Sequence, residues 1–147
     1  MLPDLDSLRV PEGGPDGFPF AVARLRSVVA ISADASGAIL DVDVERGFAS
    51  PTERLHGGTL FELTDLAMGI ALAAQLGDGE SFVTVELKHS ILKPICAGRP
   101  CVRGRVTSVG GNTAELECEV REGDGALVAA VTSACVILRG TAEDPHV

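Results

Sequence analysis

Residues 58–75 read GTLFELTDLAMGIALAAQ, and this stretch decides the fold. Its leucine, isoleucine, methionine, phenylalanine and alanine side chains cover nearly the whole circumference of a helical projection. A helix that is apolar on every side needs protein around it, so the pattern predicts a central, buried helix. Gly77 follows closely and suits the end of such a helix.

Strand-like segments lie on both sides of this helix. Before it, a strand-like segment covers residues 21–31, and residues 38–45 alternate between apolar and acidic side chains, as a strand with one wet face does. After it come four more runs, at residues 81–92, 100–109, 114–121 and 126–138. Short glycine-rich turns join the last three runs, which indicates antiparallel hairpins. The predicted fold class is α+β, with one antiparallel sheet curved around one long helix.

The length and composition fit a single domain. The chain has 147 residues, of which 46% are apolar, and this is enough to build one compact core. Four prolines fall within the first 20 residues, so residues 1–20 are expected to form an irregular arm. The domain is expected to cover residues 21–140, and residues 141–147 are expected to form a short tail.

Charge and cysteine usage exclude several classes of protein. The formal net charge of −9 argues against a nucleic-acid binder, whose surface is basic. The longest apolar run, residues 66–74, is shorter than the roughly 20 residues that span a bilayer, and the chain does not open with a signal-peptide pattern. The four cysteines form no CxxC pair, which favours buried, reduced thiols over a zinc site. We therefore expect a soluble, cytoplasmic protein with no membrane or nucleic-acid partner and no metal.

Two glycines stand where the helix begins. The N–H groups in the first turn of a helix have no acceptor within the helix, and they lie at its positive dipole end. Because Gly57 and Gly58 carry no side chain, a ligand oxygen can approach these donors closely. This predicts a site for a carbonyl that becomes an oxyanion. The alternative is a glycine-rich turn that only leads into the helix.

Asp65 is the residue of this helix that packing explains least. Aspartate is a poor residue for a helix interior and is rarely buried without a partner. On a helical projection it shares a narrow stripe with Gly58, Glu62 and Gly69, where the glycines leave room for a ligand. The residues alone leave two interpretations open: a reactive carboxylate, or an aspartate held by Arg54 or by a backbone donor.

The helix start also carries a family resemblance. Residues 56–58 read His-Gly-Gly, and Asp65 follows nine residues after His56. This unit resembles the motif of hotdog-fold acyl-CoA thioesterases of the phenylacetic-acid-degradation and 4-hydroxybenzoyl-CoA thioesterase types. Weaker similarity continues through residues 83–87, residues 92–94 and the last strand, so that it covers roughly residues 25–138.

The resemblance implies hydrolysis of an acyl-CoA thioester in a hotdog fold, at sites built between the subunits of a homodimer or of a tetramer made from two dimers. It implies that the Gly57 N–H polarises the thioester carbonyl and that Asp65 of the other subunit acts as nucleophile or general base. Thr84 would hold the nucleophile or water, and His56 would shape the turn. The family often has Asn or Gln six residues before this histidine, where the chain has Ser50 with its shorter hydroxyl.

Substrate contacts are expected beside the carboxylate and on a basic block. Gly58, Phe61 and Glu62 lie near Asp65 at the helix start. Between residues 86 and 115 the chain has five basic residues and no acidic one. Among these, Arg103 and Arg105 share a strand face, and arginine pairs with phosphates such as those of coenzyme A. The alternative is a solvated strand face that discourages edge pairing.

Other functions stay compatible with these residues. A non-catalytic acyl-CoA-binding module is the main alternative, and Ser50 favours it. A hotdog dehydratase would pair its carboxylate with a catalytic histidine on a motif that this chain lacks. Coenzyme A is expected only as part of the substrate, with no separate cofactor, because thioesters are already activated. Phenylacetyl, hydroxybenzoyl and medium-chain fatty acyl groups all remain open.

Overall fold

The structure is a computed structural model that describes residues 28–44, 55, 57–95 and 98–140. Within this part of the chain lie one helix and six strands. In chain order they are β1 (Val28–Asp34), β2 (Gly37–Val42), α1 (Gly57–Ala73), β3 (Glu80–Ile91), β4 (Cys101–Gly110), β5 (Thr113–Arg121) and β6 (Leu127–Arg139). The predicted order of two strands, one helix and four strands is confirmed.

The six strands form one antiparallel sheet in the order β1-β2-β4-β5-β6-β3. Tight turns join β4 to β5 and β5 to β6, as predicted, and Gly111 and Gly125 take positive φ values of 60° and 86° in these turns. The strand that follows the helix, β3, pairs with β6 and so lies at one edge of the sheet. An edge strand leaves one row of backbone groups available for pairing with another chain.

The helix α1 packs into the concave face of this sheet, and Gly104 on β4 lets it approach closely. A Cβ atom added to Gly104 would lie 2.7 Å from the Ala67 carbonyl carbon and 2.7 Å from the Met68 nitrogen. Only a glycine therefore leaves room for the helix backbone at this crossing. Around it the buried core combines α1 side chains, such as Leu63 and Met68, with the inward apolar side chains of the strands.

The edge strand β3 contains a bulge at Val85. Thr84 lies opposite Cys135 of β6 and Glu86 lies opposite Ala134, so β3 has one extra residue between them. Successive residues of a strand alternate between faces, and an extra residue reverses which side chains face inward beyond it. Thr84 faces the helix before the bulge, and His89 faces the helix after it.

One side of α1 is open, which differs from the expectation that protein surrounds the helix on every side. Leu63, Ala67 and Met68 are buried under the sheet, whereas Phe61 and Asp65 are exposed. A single curved sheet covers only one side of a helix. Within the described residues, Phe61 on this open side is therefore left partly uncovered.

Several predictions made from the sequence fall outside the described residues. These are the arm at residues 1–20, the first residues of the predicted domain, the tail at residues 141–147, and the residues Ser50, His56 and Cys96. Of the other cysteines, Cys118 and Cys135 are buried and free, and burial raises the pKa of the Cys118 thiol to about 12. In the part that can be described, no helix combines the length and apolar character needed to cross a membrane.

Candidate active site

Asp65 and Thr84 form the polar centre of the open helix face. The Thr84 hydroxyl donates a hydrogen bond to Asp65 Oδ1 over 3.1 Å. This partner is a neutral side chain on β3. Arg54, the charged residue that would explain Asp65 as structural, lies outside the described residues. A hydroxyl orients the carboxylate without neutralising its charge. Asp65 itself is exposed, and Thr84 holds its carboxylate from one side.

Gly57 is the first residue of α1, as predicted. A Cβ atom added there would meet nothing within 4 Å, so the space beside its backbone is open. The N–H groups of this first helical turn have no acceptor inside the helix and lie at its positive end. The position has the accessibility and the polarity that an oxyanion donor requires.

Gly57 and Asp65 are too far apart to act on one carbonyl group within a single subunit. They are eight residues apart, which is about 12 Å along a helix at roughly 1.5 Å per residue. An oxyanion donor and the attacking group must both lie within a few ångströms of the same carbonyl carbon. One subunit therefore cannot hold both groups against the same carbonyl carbon.

His89 is a further member of this site that the sequence did not reveal. Its ring stacks on the Phe61 ring with centroids 3.5 Å apart and an interplanar angle of 18°. Its Nε2 lies 3.1 Å from the Thr64 hydroxyl. Thr64 directly precedes Asp65, and Phe61 lies one turn earlier, so β3 places this imidazole on the helix turn that carries the carboxylate.

The hydrogen bonds around His89 favour one tautomer. The Thr64 hydroxyl has a single proton, and the Leu60 and Phe61 carbonyl oxygens lie 2.9 Å and 3.1 Å from its oxygen. This favours His89 Nε2 as the donor in its 3.1 Å contact with Thr64. His89 Nδ1 is then an unprotonated acceptor, and it is buried without a hydrogen-bond partner. Burial lowers the pKa of His89 from its usual 6.5, and the negative charge of Asp65 partly opposes this shift. The imidazole is therefore neutral near neutral pH.

Of the remaining predicted substrate contacts, Phe61 and Glu62 lie about one helical turn before Asp65, whereas Gly58 lies about two turns before it. Phe61 is 39% exposed on the open face, Gly58 is exposed and Glu62 is half-buried. Ser50 and His56 lie outside the described residues, so their predicted roles stay predictions.

Arg103 and Arg105 are not close to this centre. They lie on the outer face of β4, opposite the face that contacts α1, and Arg105 Nε donates to Glu117 Oε1 over 2.6 Å. Arg103 lies across from Glu119 on β5. Both arginines line a groove of about 530 Å³ together with residues of β1, β2 and β5. Their predicted contact with phosphates stays a prediction, and it would place the phosphates on the outer side of the sheet.

Comparison with known proteins identifies the family. The model of the thioesterase superfamily matches residues 53–129, which is more than half of the chain. The chain belongs to the thioesterase superfamily. The match includes the helix start, Asp65 and Thr84, so the site described above lies inside the family region.

Relatives of this thioesterase-superfamily chain agree with that assignment. A candidate esterase of Saccharolobus solfataricus is 28% identical over 118 residues, which are 80% of this chain and 84% of that protein. A Ralstonia eutropha protein, described as a candidate thioesterase related to phenylacetic acid degradation, superposes with a TM-score of 0.70 at 29% identity, covering 82% of this chain and 92% of that one. A Bacillus halodurans protein solved with CoA superposes with a TM-score of 0.66 at 28% identity, covering 74% of this chain and 71% of that one.

The fold of this superfamily member is the hotdog fold, a curled antiparallel sheet around a single helix, as predicted. The family and its thioesterase-named neighbours support a thioester hydrolase. In the described part of the chain, no three His, Cys, Asp or Glu side chains are grouped to hold a metal ion.

Proposed function

We propose that this protein hydrolyses acyl-CoA thioesters to a free carboxylate and coenzyme A, with Asp65 as its catalytic carboxylate. The observation that carries the proposal is the hydrogen bond from Thr84 to Asp65 on the open face of α1. It presents an anion of fixed orientation at a place where a substrate can reach it. Membership in the thioesterase superfamily and the CoA bound by the Bacillus halodurans relative support the substrate class.

The chemistry needs one carboxylate and one oxyanion donor. With Asp65 as general base, the carboxylate takes a proton from water, and the water oxygen attacks the thioester carbon. With Asp65 as nucleophile, a carboxylate oxygen attacks that carbon and water cleaves the resulting anhydride. In both routes the carbonyl oxygen becomes an anion that the Gly57 N–H stabilises. The carbon–sulfur bond then breaks, and the thiolate of coenzyme A leaves and takes up a proton.

The proposed unit is at least a dimer, because Gly57 and Asp65 of one subunit cannot act together. Two features support β3 as the place of contact. It is an edge strand, and Val83 and Val85 on it are 48% and 61% exposed. Antiparallel pairing of two β3 strands about a twofold axis would bring the open faces of two α1 helices together and cover Phe61. Each site then combines Gly57 of one subunit with Asp65 of its partner, and two such dimers can form a tetramer.

Coenzyme A enters this proposal only as part of the substrate. Thioesters are activated acyl groups, so the mechanism uses no metal ion and no separate cofactor. Arg103 and Arg105 are proposed to bind the coenzyme A phosphates, through charge-assisted hydrogen bonds of the kind arginine forms with phosphate. The proposal includes a cytoplasmic location, where free thiols such as Cys118 stay reduced.

The first prediction tests Asp65 directly. Asp65→Asn keeps the size of the side chain and removes its charge and basicity. We expect kcat to fall by about a hundredfold or more, as the loss of a general base or nucleophile does. Release of free thiol from phenylacetyl-, hydroxybenzoyl- and medium-chain acyl-CoA measures the effect.

Asp78→Asn is the matched control, because Asp78 is an exposed aspartate in the turn after α1. Near wild-type turnover by Asp65→Asn would remove Asp65 from the mechanism. Wild-type protein that binds acyl-CoA in calorimetry and releases no thiol would identify the non-catalytic binding module instead.

The second prediction tests the shared site. Gly57→Leu adds a bulky side chain where the chain itself leaves open space, so it blocks the oxyanion position and spares the fold. Homodimers of Gly57→Leu and of Asp65→Asn should both be inactive. Mixed dimers should regain about half of the sites, because twofold symmetry pairs one intact Gly57 with one intact Asp65. An active monomer in light scattering, or mixed dimers without activity, would contradict the shared site.

A further inference from the structure

His89 is joined to the catalytic turn of α1 by two contacts that differ in kind. Its Nε2 lies 3.1 Å from the Thr64 hydroxyl, and its ring stacks on Phe61 with centroids 3.5 Å apart. The bulge at Val85 turns both Thr84 and His89 toward the helix. The two side chains of β3 therefore approach the same helical segment from one strand, and Thr84 alone bonds directly to Asp65.

The surroundings of His89 favour a neutral ring and contain one strong electrostatic neighbour. Its β6 neighbours on the inward face, Ala129, Val131 and Ser133, are not ionisable. Lys88 and Glu86 on its own strand are exposed on the other face. On α1, Asp65 is the charge that acts on the imidazole, and Glu62 lies half-buried on the same side of the helix.

We propose that His89 is a positioning residue of this site. As a neutral imidazole it connects β3 to the helix turn that carries Asp65. Its protonation places a cation beside that carboxylate and stops turnover. A nearby positive charge stabilises the ionised carboxylate and so weakens it as a base or nucleophile. The new proton sits on Nδ1, the ring nitrogen that has no partner. This inference rests on the proposed thioesterase function and adds a control of that site by pH.

The first test is the pH dependence of kcat/KM for thioester hydrolysis in the wild type and in His89→Gln. Glutamine can still donate to Thr64 and cannot gain a charge. In peptides the pKa of histidine is about 6.5 and that of aspartate is about 3.9. If protonation of His89 sets the acid limb of the wild-type profile, a variant without this histidine should lose activity only at a lower pH. We expect the acid limb of His89→Gln to lie about one pH unit or more below that of the wild type.

Thr64→Val is the control that separates charge from packing. It removes the acceptor of the His89 hydrogen bond and leaves the imidazole able to titrate. If His89 had only a structural role, Thr64→Val and His89→Gln should have the same pH profile of kcat/KM. We expect Thr64→Val to lower activity by a similar factor at every pH and to keep the acid limb of the wild type. If the acid limb of the kcat/KM profile is the same in His89→Gln and in the wild type, the proposal is wrong.

The second test does not depend on activity. An NMR titration of the imidazole signals in the wild type should show the Nε2–H tautomer at neutral pH and a midpoint for His89 below 6.5. In Asp65→Asn the pKa of His89 should be lower still, because the charge that opposes the effect of burial is gone. Equal midpoints in the two proteins, or the Nδ1–H tautomer, would refute the link to Asp65. If no variant hydrolyses thioesters, the proposed function fails and this titration still tests the link.

Discussion

The two faces of the sheet hold their charged groups in opposite ways. On the outer face, the arginines of β4 lie across from the glutamates of β5, and Arg105 binds Glu117 directly. On the inner face, Asp65 is bonded to the neutral hydroxyl of Thr84, and no ion pair to it occurs among the described residues. A paired charge is largely neutralised by its neighbour, whereas a hydroxyl such as that of Thr84 orients a carboxylate without neutralising it. The type of partner, more than the presence of charge, separates the candidate site from the ordinary surface.

The largest expected effect comes from the inner face of β4. Gly104→Ala places a Cβ atom 2.7 to 2.8 Å from the backbone of Ala67 and Met68. The helix must then move away from the sheet, and overpacking of this kind costs about 1 to 3 kcal/mol. Urea denaturation measures the change in the free energy of unfolding.

Gly110→Ala is the matched control on the same strand, because its added Cβ would meet nothing within 4 Å. We expect a change within about 0.5 kcal/mol for this exposed position. Equal losses in the two variants would show that contact with α1 is not what requires glycine at position 104.

A smaller effect is expected on the outer face, and it decides what the arginines do there. If Arg103 and Arg105 bind the phosphates of coenzyme A, Arg103→Gln and Arg105→Gln should raise KM for acyl-CoA by about tenfold, which corresponds to about 1.4 kcal/mol. KM for the same acyl group on N-acetylcysteamine, which has no phosphate, should stay constant.

Arg121→Gln is the control, since Arg121 is another exposed arginine of this face and binds Glu119 over 2.9 Å. It should leave both KM values unchanged. If Arg103→Gln and Arg105→Gln behave in the same way, these residues are only surface ion pairs, whose contribution to stability is about 0.2 to 1 kcal/mol.

The smallest expected effect is the dependence of stability on pH. Burial lowers the folded-state pKa of His89 below the 6.5 of the unfolded chain. Between these two values the unfolded chain binds a proton that the folded chain does not, so stability falls as the pH drops through this window and is constant above it. Replacing His89 with glutamine removes this contribution, and Tm should then fall less between pH about 7.5 and about 5. An equal fall of Tm in the wild type and in His89→Gln would contradict this contribution of His89 to stability.

Much of the fold was predictable because alternation and helical periodicity are local. The predicted helix at residues 58–75 differs from α1, Gly57–Ala73, by two residues at most at either end. The strands after the helix also match within one residue at each end. Asp65 and Gly57 were selected as candidate site residues because their residue types are unusual in an apolar helix, and this signal is likewise local.

The rest depended on contacts between distant parts of the chain. Uninterrupted alternation from Thr84 would place Glu86 and Lys88 on the helix side, so His89 was assigned to no site. Only the bulge at Val85, which is visible in the pairing with β6, turns His89 inward. The available signal was the change within the even-numbered positions, from Phe82 and Thr84 to the charged residues Glu86 and Lys88. The open side of α1 could not be predicted either. An apolar pattern all round the helix predicts that the helix is covered, but it does not show which side is covered by its own sheet and which by another chain.

The extra residue at Val85 makes this strand more tolerant of a one-residue deletion there than further along. Glu86 already lies opposite Ala134, so a chain without Val85 would lose the bulge and keep every residue from Glu86 to Ile91 opposite its present partner on β6. Leu87 would stay on the inner face and Lys88 in solvent. Deletion of Lys88 would instead reverse the alternation beyond it and turn His89 away from the helix.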